Sequence, residues 1–340
     1  MAFVFKKDSQ HILGYLSLTA ASLALASFYL AGVGAERTPI SRFAPVANAT
    51  GLPLALPEGF SISIYARGLD NPQAMIWDRN GAMLVASEKK GTIRVVRDTN
   101  RDGIADSSRV IAKKLKQPNG LSLECGVIPP LAYLDARTKE FSGGTSTGSD
   151  CTLFVSTADA IVAYEYRKDT TSLGTKSVFA DTTESTEEGF FGRTAMADES
   201  FGYCRDPDPD RQAIISKFCN PGGQFFEEDS AKGSAVAIPD NGWPAEYRQN
   251  VLVAYAGTSN YGNPTGHKIV RYKFDEKGNF QGQEDFMSGW RSGQRSLGSP
   301  TDLLIGPDSG SYISDLYIAD GLRGFIYRVS YRGSALLGQQ

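Results

Sequence analysis

Asn71-Pro72-Gln73-Ala74-Met75-Ile76-Trp77-Asp78-Arg79-Asn80-Gly81-Ala82-Met83-Leu84-Val85-Ala86 reads as an X-Pro lead-in, a short apolar strand, an Asp/Gly turn and a second apolar strand. The phrase returns twice. Gln117-Pro118 leads into Gly120-Leu121-Ser122-Leu123 and, after an insertion, into Leu153-Phe154-Val155-Ser156. Ser299-Pro300 leads into Asp302-Leu303-Leu304-Ile305, then the turn Gly306-Pro307-Asp308 and the strand Ser311-Tyr312-Ile313-Ser314. A further strand follows each time: Thr92 to Val96, Ala160 to Tyr164, and Gly324 to Val329.

Short strands with Gly/Pro punctuation mark all-β folds, and a recurrence of about 45 residues is the period of propeller blades. The predicted fold class is all-β, a six-bladed β-propeller over residues 57–335, preceded by an N-terminal signal or anchor helix. A lone blade has faces that only neighbours can bury, which is why blades close into a ring. Phe60 to Ala66 is a strand near the start, and pairing it onto the last sheet would complete a fourth strand and remove an exposed edge. A two-sheet sandwich is the structural alternative. Residues 166–241 carry no recognisable phrase.

Lys6 and Lys7 precede an uncharged apolar run from Ile12 to Ala35, ending in Val33-Gly34-Ala35. These are the parts of a secretory signal, and the run is also close to the ~20 residues that span a bilayer. Residues 1–35 are therefore expected to be a signal peptide or transmembrane anchor, and 36–56, rich in Pro, Ala, Asn and Thr, a linker. The expectation is an extracytoplasmic protein, secreted or held at a membrane through its N-terminal segment. Asn48-Ala49-Thr50 is a glycosylation acceptor sequence. The net charge of −3, with both signs mixed along the chain, gives no footprint for nucleic acid.

Four cysteines, Cys125, Cys151, Cys204 and Cys219, form no CxxC pair, so disulfides rather than zinc are expected. Three connectivities are open. Cys125–Cys151 with Cys204–Cys219 is favoured, because each would tie off a Gly/Pro/Asp-rich excursion.

Asp98-Thr99-Asn100-Arg101-Asp102-Gly103-Ile104-Ala105-Asp106 places oxygen side chains at positions one, three, five and nine, with Gly at six. This matches the front of an EF-hand-type loop and makes Asp98, Asn100, Asp102 and Asp106 candidate ligands for a structural calcium ion. The terminal bidentate Glu is missing, and the competing reading is a solvated acidic hairpin turn. Asp206, Asp208 and Asp210 fall at alternate positions of what reads as a solvated loop. His267 is the one histidine outside the leader and stands at a strand entrance, a candidate general base. No Gly-x-Ser-x-Gly elbow, P-loop or dinucleotide fingerprint is present.

Leu56-Pro57-Glu58-Gly59-Phe60 and Arg97 through Asp106 together resemble the glucose/sorbosone dehydrogenase family of propellers. So do Trp243-Pro244-Ala245-Glu246-Tyr247-Arg248, Pro264 through Arg271, and the closing Ile326-Tyr327-Arg328-Val329-Ser330-Tyr331. The resemblance implies a six-bladed ring that binds pyrroloquinoline quinone (PQQ) at its axial mouth and oxidises a sugar or sugar aldehyde. In such proteins calcium polarises the quinone and a histidine removes the hydroxyl proton. His267 is the candidate for that base, with Gln73, Asn119 and Asn260 as candidate cofactor-binding residues.

The chain departs from the family pattern where relatives carry Arg or His. Asn71-Pro72-Gln73, Gln117-Pro118-Asn119-Gly120, Ala256-Gly257-Thr258-Ser259-Asn260 and Ser299-Pro300-Thr301-Asp302 stand there instead. Guanidinium forks are the natural partners of the three PQQ carboxylates, and each charge-assisted bond lost removes about 1.5–3 kcal/mol. Weakened activity is therefore an expectation. The alternative is a non-catalytic propeller that binds carbohydrate or a protein partner at the cell surface.

Overall fold

The computed structural model describes residues 47–125, 151–167, 169–181, 232–257, 266–306 and 314–333, all within one compact unit, Pro45–Gln339. Residues 1–35, expected to be a leader, Asp206, Asp208 and Asp210, and the expected Cys204–Cys219 pair lie outside the described residues. Among the described residues no helix is long and apolar enough to cross a membrane.

Strand β1 (Phe60–Ala66) opens the order. It is followed by β2 (Pro72–Trp77), β3 (Met83–Ser87), β4 (Thr92–Arg97) and β5 (Ser107–Ala112), which form one antiparallel sheet in sequence order. β6 (Gly120–Cys125), β7 (Cys151–Ser156), β8 (Ala160–Tyr166) and β9 (Ser177–Asp181) form the next. β10 (Lys232–Ala237), β11 (Val251–Tyr255), β12 (Lys268–Phe274) and β13 (Phe280–Met287) form a third. A two-stranded hairpin, β14 (Arg291–Ser292) and β15 (Arg295–Ser296), precedes β16 (Pro300–Ile305), β17 (Leu316–Asp320) and β18 (Phe325–Tyr331). Among the described residues there are thus four four-stranded sheets, an all-β, propeller-like fold.

The sheets follow one another side by side. β16 packs against β10 and β11 on one side and β2 on the other, and β2 packs in turn against β6. A sandwich, in which two sheets share one core, is excluded by this arrangement. Among the described residues three separate cores fill the interfaces: Leu252, Phe286 and Trp290 with Leu303 and Tyr327; Met75 and Val85 with Tyr317 and Ile326; Leu84 and Ile93 with Leu121 and Val155. The sequence pattern follows from the stacking. β3, β11 and β17 are buried along their whole length, and the sheets of β3 and β17 each have a neighbouring sheet on both sides. The fourth strands β5 and β13 are largely exposed and accordingly polar.

The first strand does join the last sheet, as its sequence predicts. β1 pairs antiparallel with β18, Phe60 opposite Tyr331 and Ile62 opposite Val329. The three X-Pro phrases become β2–β4, β6–β8 and β16–β18; of the strand expected at Ser311 to Ser314 the first three residues lie outside the described residues, and the middle strand of the last phrase is Leu316–Asp320. Its five residues are all buried, whereas Ser314 is a turn residue. Residues 47–56, read as the end of a linker, lie on the sheets. Asn48 bridges to Ile62 and Ala55 to Ser288, and Leu54 is buried. The Asn48 amide nitrogen donates to Leu52 O and Leu54 O at 2.7 and 3.0 Å, so the acceptor sequence is tied into this turn. Cys125 and Cys151 are register partners on β6 and β7 and form a disulfide, the connectivity favoured from the sequence.

Neighbouring sheets are latched by one backbone device used twice. The glycine ending the turn between a sheet's second and third strands accepts a hydrogen bond from the lead-in of the next sheet. Leu69 N donates to Gly324 O and Leu115 N to Gly91 O, both at 3.0 Å. Both glycines have left-handed φ, 67° and 59°, and a Cβ on either would strike the carbonyl of the leucine it receives. Gly81 has a similar φ of 75° but open space around it. Gly324→Ala and Gly91→Ala should therefore each lose more stability than Gly81→Ala, which meets only the backbone cost of ~1–2 kcal/mol. Urea denaturation of the three variants measures the difference.

Candidate functional site

The X-Pro lead-ins and the turns between second and third strands meet on one side of the sheets. Between them lies a cavity of about 570 Å³, lined among others by Asn71, Lys89, His267, Ser296, Ser299 and Arg323. That volume falls in the range of small-molecule sites, ~300–1,000 Å³.

His267 precedes β12, with a left-handed φ of 57°, and is 6% exposed. Its Nδ1 is 2.9 Å from Gly298 O and its Nε2 is 3.2 Å from Ser296 Oγ. A carbonyl oxygen only accepts, so in the neutral ring Nδ1 carries the proton and Nε2 holds the lone pair. The imidazole is thus fixed as a base whose acceptor nitrogen meets a hydroxyl. The segment that fixes it is itself fixed. Leu297 N and Gly298 N both donate to the carbonyl of Trp290, at 2.7 and 3.2 Å, and the Trp290 side chain is fully buried.

The polar surroundings are similarly locked. Asn71, at φ 58°, donates from Nδ2 to Glu88 Oε2 and accepts from Gln73 Nε2, each at 2.7 Å. Ser299 Oγ donates to Ala256 O at 2.7 Å. Behind them Asp320, with no exposed surface, accepts Ser299 N, Arg323 N and the Tyr327 hydroxyl at 2.9 to 3.0 Å. Burial pushes the Asp320 carboxyl pKa up, against the opposing pull of those hydrogen bonds. Arg323 Nε donates to Leu297 O at 2.6 Å. Neither Lys89 nor Arg323 makes a salt bridge among the described residues, and both line the cavity, as does Asp70, whose carboxylate is paired with Lys90 and Arg94.

Of the residues singled out in the sequence, His267 lines the cavity and Gln73 stands next to it, bonded to Asn71. Asn119 belongs to the lead-in of the next sheet and does not line the cavity. Its N–H donates to Ser156 O at 3.0 Å, and its buried Oδ1 has no hydrogen-bond partner. Asn260 lies outside the described residues. Asn71, Lys89, Ser296, Ser299 and Arg323 escaped notice. The signal for most was present: Asn71 and Ser299 are the residues before the lead-in prolines. Lys89 and Arg323 occupy equivalent turns, Glu88-Lys89-Lys90-Gly91 and Asp320-Gly321-Leu322-Arg323-Gly324.

The 98–106 loop joins β4 to β5, and its oxygens are turned onto its own backbone. Asp106 Oδ2 accepts Thr99 N and Thr99 Oγ1 at 2.5 and 2.6 Å, and Asp98 Oδ2 accepts Gly103 N at 2.8 Å. Asp102 Oδ1 accepts Ile104 N at 2.8 Å, and Asn100 Nδ2 donates to Asp102 Oδ2 at 3.0 Å. The Thr99 hydroxyl and N–H hold the Asp106 carboxyl below the usual range. The Arg328 guanidinium lies against Gly103. Among the described residues no group of three His, Cys, Asp or Glu side chains gathers as a metal cage. In this arrangement the loop's carboxylates serve as acceptors for its own turn, and a guanidinium lies against it.

These features define a class: a propeller-like protein with a polar, cation-flanked small-molecule site at its strand lead-ins. Residues 54–201, under half of the 340-residue chain, match the family model described as TrAA12-like, which bears out the resemblance read in the sequence. Among solved structures, the calcium structure of the Trichoderma reesei Carbohydrate-Active Enzymes Family AA12 protein is similar at 11% identity and TM-score 0.50, over 83% of this chain and 98% of that one. The holo PQQ domain of pyranose dehydrogenase from Coprinopsis cinerea is similar at 13% identity and TM-score 0.49, over 84% of this chain and 100% of that one. The PQQ-bound aldose sugar dehydrogenase from Streptomyces coelicolor shows 12% identity and TM-score 0.41, over 81% and 99%. No curated protein matches the sequence.

Two outcomes follow from the site electrostatics. The raised Asp320 pKa means that its stabilising contribution is present in acid and is lost as pH rises through the folded-state value. The stability of the wild type relative to Asp320→Asn should therefore fall between acid and neutral pH, read from urea midpoints across that range. Asp106→Ala should lower Tm by loosening the β4–β5 turn, by the same amount with calcium or with EDTA; a calcium-dependent difference would place the ion in this loop.

Proposed function

We propose that this protein oxidises a sugar or sugar aldehyde with PQQ bound in the cavity at the strand lead-ins. The observation that carries the reading is a tautomer-fixed histidine beside two cations in a cavity of small-molecule size. The TrAA12-like match and the family phrases in the sequence support it. The bound quinone would supply the two-electron acceptor. Lys89 and Arg323 would face its carboxylates, offsetting the guanidinium groups absent at Gln73 and Asn119. His267 Nε2 would take the proton of the substrate hydroxyl, with Nδ1 held by Gly298 O so that the ring does not turn. Asn71 and Ser299, each locked by its own hydrogen bonds, would orient polyhydroxylated substrate. No step is assigned to calcium.

The same reading takes the ring as six-bladed, with the four described sheets among its blades, and places it outside the cytoplasm. The Cys125–Cys151 disulfide supports an oxidising compartment. The leader 1–35 would deliver or anchor the chain.

Calorimetric titration with PQQ, followed by dye reduction with aldoses, tests the proposal. Lys89→Ala and Arg323→Ala should each weaken PQQ binding about tenfold or more, since a charge-assisted bond contributes about 1.5–3 kcal/mol. His267→Gln should keep PQQ affinity within a few-fold and lower kcat by roughly a hundredfold or more. Absence of quinone binding would remove the enzyme reading in favour of a non-catalytic carbohydrate- or partner-binding propeller.

A further inference from the structure

Ser296 lines the cavity but has no part in the oxidation proposed above. Its hydroxyl stands 3.2 Å from His267 Nε2, and the opposite ring nitrogen is held 2.9 Å from Gly298 O. A hydroxyl, an imidazole acceptor and a third group that orients the imidazole are the parts of an activated nucleophile. Three further observations set this pair apart from an ordinary surface hydrogen bond. Ser296 and His267 both line the cavity, so the hydroxyl faces space that a ligand can fill. The backbone carrying Ser296 and Gly298 is pinned by two N–H bonds to the carbonyl of the buried Trp290, which fixes nucleophile and orienting carbonyl relative to one another. Arg323, tied through Nε to Leu297 O one residue beyond Ser296, lines the same cavity and supplies a cation there.

We propose that Ser296 and His267 form an acyl-transfer dyad that hydrolyses small esters or lactones of polyhydroxylated acids. Ser296 Oγ attacks the acyl carbon while its proton passes to His267 Nε2, and Arg323 balances the charge on the carbonyl oxygen. The ester C–O bond then breaks and His267 returns that proton to the departing oxygen, leaving the acyl group on Ser296. Water adds next, giving one proton to His267 Nε2. The acid is released as that proton returns to Ser296 Oγ. The sum is ester plus water to acid plus alcohol, or for a lactone to the open hydroxy acid, with no oxidant or reductant. The activity itself is independent of the quinone reading. Only the choice of a sugar lactone as substrate rests on it, since a lactone is what oxidation of an aldose at its anomeric carbon yields.

The test uses the full protein without added cofactor, so its failure leaves the quinone reading untouched and the reverse also holds. A fluorophosphonate probe should label Ser296, as mapped by peptide mass, and the cofactor-free protein should hydrolyse p-nitrophenyl acetate and a gluconolactone. Ser296→Ala and His267→Gln should each remove labelling and reduce turnover at least a hundredfold, with unchanged melting curves for Ser296→Ala. Ser296→Cys keeps a nucleophile beside the imidazole, and its thiol should react with iodoacetamide at neutral pH at least tenfold faster than a free thiol. Absence of labelling at Ser296, labelling that survives in His267→Gln, or a Ser296→Cys thiol of ordinary reactivity would each overturn the dyad.

Discussion

The structure depends on the way strand β16 is gripped from both sides. Asp302, with no exposed surface, accepts the N–H of Met75 from the neighbouring sheet at 2.7 Å and that of Leu303 at 2.9 Å. Thr301 donates to Pro72 O at 2.7 Å. On the other side the hydroxyl of Ser234 accepts Leu303 N at 3.0 Å. An unpaired buried amide costs about 1–3 kcal/mol, so these bonds fix where each inner strand begins rather than merely adding attraction. Everything in the cavity hangs from those starting points: Asn71 immediately precedes Pro72, and Ser299 immediately precedes Pro300. Sheet-to-sheet packing is apolar and tolerant of small slips. The polar bonds at the lead-ins are not, and they convert loose stacking into a defined mouth.

Two acidic groups show how the same chemistry serves opposite ends of the sheets. Asp320 is buried behind the cavity, where loss of solvent raises its pKa while backbone N–H groups and the Tyr327 hydroxyl draw it down. Asp106 is exposed at the β4–β5 turn, where hydrogen bonds from Thr99 lower its pKa. Both act as local scaffolding. Asp320 organises the backbone at Ser299 and Arg323 and so supports the cavity wall, whereas Asp106 closes a hairpin.

Three of the four described sheets were legible because their signals are local. An X-Pro pair, an Asp or Gly turn and a run of buried residues each leave a mark within ten positions. The β10–β13 sheet opens with Lys232-Gly233-Ser234 instead of a proline lead-in, so it gave no matching phrase. His267 was legible through scarcity. Lys89 and Arg323 were not, because a basic residue in a turn looks like solvated surface until the fold shows that two such turns face one cavity. In the acidic loop the spacing of oxygens was plain. Their direction was not, since loop N–H groups compete for the same carboxylates and spacing alone does not decide that competition.

The pairing of Phe60–Ala66 with Phe325–Tyr331 has a consequence for synthesis. The ribosome delivers the strand that needs a partner some 269 residues before the partner itself, as the Ser61 to Ser330 separation records. Until then an apolar ribbon with a bare edge must persist in the growing chain. Completion of this sheet is therefore a late event that awaits nearly complete translation, and non-local pairing of this kind is intrinsically slow. A chain that ended just before residue 325 would lack β18, the strand that joins β1 to β17.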